Sequence, residues 1–117
     1  MAASTYNLLI EQGATFTLSL VWKDSEGDPV DLTGYSARMQ VRPSVTSEDV
    51  LLSLTDQDGI VLGGDGSIVV QASATQTAAI SSKRGAYDLE LEDQDGTVTR
   101  LLQGVVTISP EVTRGDD

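Results

Sequence analysis

The chain is 117 residues long, contains neither cysteine nor histidine, and sets 18 acidic against 7 basic side chains for a formal charge of −11. That length fits one domain over residues 1–117 with loose ends at 1–5 and 113–117, and the missing residue types remove disulfides, thiol chemistry and imidazole as acid, base or metal ligand. The acidic excess opposes phosphate backbones, and 4% aromatic residues leave too few stacking platforms for single strands, so nucleic acid is not an expected partner.

No stretch approaches the roughly 20 apolar residues of a membrane span. The start MAASTYNLLIEQG has no basic region before its short apolar run, so neither a transmembrane helix nor a signal peptide is expected, and the protein is read as soluble and made in the cytoplasm. Tyr6 to Glu11 reads as a first strand that turns at Gln12-Gly13 into the second. That second strand, Ala14 to Lys23, carries Phe16, Leu18, Leu20 and Trp22 at strict period two, with Thr15, Thr17, Ser19 and Val21 on the other face. Burying each large side chain is worth about 1.5–3 kcal/mol. The stripe is therefore expected at the centre of an antiparallel sandwich.

Asp24 to Pro29 is a hydrophilic turn. Tyr35 to Arg42 then alternates, with Tyr35, Ala37, Met39 and Val41 inward and Ser36, Arg38, Gln40 and Arg42 outward, until Pro43 stops it. Val50 to Thr55 is the next strand, and Ile60 to Leu62 with Ser67 to Ala72 forms a hairpin around Gly63 to Gly66. Ser73 with Gln76 makes a capping box, which predicts one short helix near residues 74–82. Tyr87, Leu89 and Leu91 alternate with Asp88, Glu90 and Glu92. After the Asp93–Gly96 turn, Thr97 to Leu102 returns, and Gly104 is read as an interruption before Val105 to Ile108. The total is about eight short strands and one helix, an all-β antiparallel sandwich.

Candidate sites are few. Asp-Gln-Asp-Gly occurs at Asp56–Gly59 and Asp93–Gly96, so Asp56, Asp58, Asp93 and Asp95 are the weak candidates for calcium. Each copy runs straight into a strand without the further oxygen ligands of a calcium loop, so no metal and no cofactor is expected. Asp88, Glu90 and Glu92 read as a solvent face, because neighbouring carboxylates about 7 Å apart have no cleft aromatics beside them; catalysis is not expected. Arg38, Gln40 and Arg42 form the reciprocal stripe. If the two strands are neighbours, cross-strand pairs add about 0.2–1 kcal/mol each; the alternative is that one or both stripes face a partner subunit, where Arg is enriched. Lys83-Arg84 reads as a solvated helix exit.

The succession Asp24, Gly27, Asp28, Pro29, Val30, Asp31, Leu32, Thr33, Gly34 and then Tyr35 to Arg42, continued by Gly85 to Leu91 and Arg100 to Ile108, resembles the N-terminal domain of phage baseplate upper proteins and related small virion proteins of tailed phages. The likeness covers roughly Tyr6 to Arg114. It implies a non-enzymatic piece of a virion, an Ig-like (immunoglobulin-like) β-sandwich made in the host bacterial cytoplasm and held in symmetric copies against tail, portal, adaptor or capsid subunits. In those baseplate proteins a linker and a fibre-like region follow the domain; here the sequence stops at Asp117, which favours an accessory tail or head–tail-junction role over a fibre-bearing one. Partner contacts are expected at Tyr6, Leu8 and Ile10, which could add to a neighbour's sheet, at Arg38 and Arg42, and at Val45 in the Pro43–Asp49 loop. A capsid decoration protein is the alternative, and a calcium- or carbohydrate-binding module is a third reading from another class.

Overall fold

A computed structural model describes residues 3–113. The elements in order are β1 (Ser4–Thr5), β2 (Leu8–Glu11), β3 (Phe16–Val21), β4 (Ser36–Arg42), β5 (Leu52–Thr55), β6 (Ile60–Leu62), β7 (Ser67–Ala72), α1 (Ala74–Ala78), β8 (Arg84–Glu92) and β9 (Val98–Ser109). They form an all-β sandwich of two sheets: a six-stranded one ordered β1-β9-β8-β4-β5 with β2 also on β9, and a three-stranded one ordered β3-β7-β6. No helix among the described residues is long and apolar enough to cross a membrane.

The alternation read from β4 and β8 is the alternation observed. Ala37, Met39, Val41, Tyr87, Leu89 and Leu91 are buried, and the residues between them lie on the outer face. Across the layers they meet Ile60, Ile68, Val70 and Ala72 of the small sheet, with Ile80 and Leu32 from the connections. Ser73 accepts from the Gln76 N–H while the Gln76 side chain accepts from the Ser73 N–H, so the capping box is present. The helix it opens has 5 residues, fewer than residues 74–82 suggested. Thr77 is buried and ties this helix to the end of β2: it accepts from the Gly13 N–H at 3.0 Å and donates to the Ala14 carbonyl at 2.9 Å.

Four expectations are corrected. Phe16, Leu18, Leu20 and Trp22 are half-buried and pack against the core from its flank, on β3 at the edge of the three-stranded sheet. The N-terminal strand pairs with β9 in parallel, Leu8 opposite Val106 and Ile10 opposite Ile108, and not with the strand that follows it. Of the ends expected to be loose, Ser4–Thr5 is a short strand on β9 and Thr113 is exposed, while residues 1, 2 and 114–117 lie outside the described residues. Finally, β9 runs unbroken from Val98 to Ser109 through Gly104; its irregularity falls opposite Leu89/Glu90, where Leu101 is the extra residue.

Candidate interaction surface

Register builds the outer face of the large sheet row by row. Arg42, Ala86 and Val105 stand in one row across β4, β8 and β9; Gln40, Asp88 and Gln103 stand in the next, and Arg38, Glu90 and Arg100 in the third. Thr5 extends the second row from β1. With Ser44 and Val45 beyond the end of β4, these side chains line a trough of about 660 Å3.

The charges in the trough mostly answer one another. Arg38 Nε donates to Glu90 Oε1 at 2.9 Å and Arg38 Nη1 to Glu92 Oε1 at 3.1 Å, the cross-strand pairing expected if β4 and β8 were neighbours. Those bonds, Glu92 first and Glu90 second, hold the guanidinium above its ordinary pKa, yet so exposed a pair adds at most about 1 kcal/mol. Arg100 Nε lies 3.4 Å from Asp88 Oδ2. Arg42 stands opposite Ala86 and donates to the Ser47 carbonyl at 2.9 Å and to Gln40 Oε1 at 2.8 Å. Burial, and then Glu90, push the Asp88 carboxyl up from its usual range against the pull of Arg100, Arg38 and Arg42. The trough thus offers donors at Arg42 and an acceptor at Asp88 to polar groups of a partner.

Beside it runs the N-terminal edge, which is held by an exchange of hydrogen bonds. The Tyr87 hydroxyl donates to the Tyr6 carbonyl, taking that oxygen out of the ladder. The Val105 N–H donates instead to Asn7 Oδ1 at 3.0 Å. Gly104 makes the crossing possible: a β-carbon there would lie 2.5 Å from the Tyr6 carbonyl oxygen and 2.9 Å from Asn7 Oδ1. This exchange separates β1 from β2. Burial first, and Tyr6 second, raise the Tyr87 hydroxyl from 10.0 to about 12.

Of the residues expected to meet a partner, Tyr6 and Val45 are open, 51% and 84% exposed, and Val45 lines the trough with Arg38 and Arg42. Leu8 and Ile10 are a correction: at 6% and 0% exposure they face the core, since the parallel pairing turns the even positions inward and leaves Leu9 outside. The signs missed in the sequence are Leu9, Asn7, Gln103 and the pairing of Gly104 with Tyr87. The last lay outside local reading, because counting back from the Asp93–Gly96 turn sets Gln103 across from Tyr87, and only the extra residue Leu101 brings Gly104 there.

The two acidic tetrads do turn chemistry. Asp56 Oδ1 accepts from the Ala37 N–H at 3.0 Å, and that bond is the main reason its carboxyl sits below the usual range. Asp93 Oδ1 accepts from the N–H groups of Asp95 and Thr97 at 2.9 and 3.0 Å. Gly59 and Gly96 supply the positive φ, 101° and 86°, that close each turn. Asp58 is exposed, and no group of three or more acidic side chains is gathered to hold a metal ion among the described residues. Compared with models of known families and with curated proteins, the chain matches neither a family nor a relative.

Proposed function

We propose that this protein is a non-enzymatic structural component of a tailed-phage virion, an accessory tail or head–tail-junction piece held in symmetric copies against neighbouring virion proteins. The motif resemblance over Tyr6 to Arg114 supports the setting. The observation that carries the mode of action is the open β1–β2 edge with Tyr6, Leu9 and Val105 exposed along it, next to a trough of paired charges. An unpaired strand edge is a template for another chain, and a ring or shell that repeats one modest contact many times is held by multivalency.

Electron microscopy of the intact particle, with this chain located in it, tests the reading. Tens of copies at the tail or the head–tail junction support it. Hundreds on the head would turn the assignment to capsid decoration, and a particle free of the chain would end it.

A further inference from the structure

We infer that two copies of this chain join edge to edge through β2, antiparallel about a two-fold axis at Leu9, so that their large sheets continue as one. The inference rests on the multi-copy reading above and names the first partner as a second copy. The Tyr6 and Gln12 N–H groups donate to the Gln103 and Ser109 carbonyls of β9, each at 2.9 Å. Alternation along the strand therefore gives even positions to β9 and turns the backbone groups of Asn7 and Leu9, with the Glu11 N–H, to the open side. The segment from Tyr6 to Gln12 has no Lys, Arg or Pro, the residues that guard exposed edges against pairing.

The edge is complementary to itself in one register. With the axis at Leu9, that side chain, 58% exposed, meets its own copy, Leu8 stands opposite Ile10, and Asn7 stands opposite Glu11 of the second copy. Asn7 Oδ1 is already occupied by the Val105 N–H, which leaves the amide NH2 to donate. Glu11 is exposed and its carboxylate has no hydrogen bond or ion pair among the described residues. An axis at Glu11 would set two carboxylates face to face, which like charges disfavour. Val105, exposed and adjacent to Asn7 on the outer face, extends the apolar strip on either side of the axis. Because each copy carries −11, screening strengthens this association as salt rises, whereas a charge-driven contact would weaken.

The test is sedimentation velocity of the full chain over a range of concentration and salt, with disulfide trapping. The expected result is a dimer that grows with concentration and with salt, and that Leu9→Lys weakens at least about tenfold by placing like charges opposite while circular dichroism stays that of the parent. Leu9→Cys is expected to oxidise to a covalent dimer, since directly opposed hydrogen-bonded residues lie about 5.5 Å apart at Cα, within disulfide reach. Val61→Cys, on the exposed outer strand of the small sheet, is expected to stay monomeric. A monomer at every concentration, or equal trapping at positions 9 and 61, overturns the inference. A monomer in solution that is nonetheless found in the particle would sink the dimer and leave the virion reading standing; a trapped dimer absent from the particle would do the reverse.

Discussion

β2 and β3 are both outermost strands, yet their burial runs against the size of their side chains. β3 carries Phe16, Leu18 and Leu20 and leaves all three half-buried; β2 has only Leu8 and Ile10 to turn inward and buries both. The difference lies in what closes over each strand. The Gln12 amide donates to the Ile80 carbonyl at 2.9 Å and Gly13 to Thr77, so the helical connection folds down at the end of β2. An open edge is common to both strands, since β3 has only β7 beside it and β2 only β9. Burial follows the number of layers over a strand, and period two in a sequence reports only which side chains share a face.

The widest test of that contrast is Ile10→Ala against Leu18→Ala. The first should cost about 2–5 kcal/mol, as a buried cavity does, and the second about 1 kcal/mol, scaled down by its exposure; urea unfolding of both variants checks it, and equal losses would break the comparison. Next comes Gly104→Ala, expected to cost about 1–3 kcal/mol through overpacking. Since the added methyl strikes the Tyr6 carbonyl, amide exchange should rise along β1 and β2 and hold steady in β3.

Tyr87→Phe should cost about 1 kcal/mol through the lost bond to Tyr6. It also carries a pH signature. With the folded hydroxyl at about 12 against an ordinary 10.0, the stability it brings is complete below pH about 10 and is lost as pH climbs through about 12. Alkaline unfolding should therefore begin later in the phenylalanine variant relative to its own neutral-pH stability. The smallest effect belongs to Leu9→Ala, under about 0.5 kcal/mol for an exposed site, with thermal melting of the dilute monomer as the measurement.

Much of this fold could be read from the chain because its strongest signals are local. The alternation of Tyr35–Arg42 and Tyr87–Glu92, the Ser73–Gln76 cap and the Asp-Gly turns are each written within ten residues. What escaped was pairing at long range. Nothing near Leu8 announces Val106 as its neighbour, 98 positions on, so the parallel edge and the inward turn of Leu8 and Ile10 could not be read there. Gly104 looked like a break because a strand glycine often is one, while its reason sits on another strand, in the path of the Tyr6 carbonyl. The surface was legible in part. Opposite charges at matched period anticipated Arg38 with Glu90 and Glu92, but only the register shows that Arg42 faces Ala86 and that Asp88 lines a trough.

The parallel match of β1 and β2 with β9 also fixes how the molecule meets a mechanical load. Tension applied at Ser4 and Ser109 pulls the two strands lengthwise past each other, so the rungs from Ser4–Leu102 to Glu11–Ser109 bear the force together. A hairpin pulled at its open end parts one rung at a time. A chain loaded at these two ends resists extension through hydrogen bonds sheared together along the seam, and does not peel open from one end.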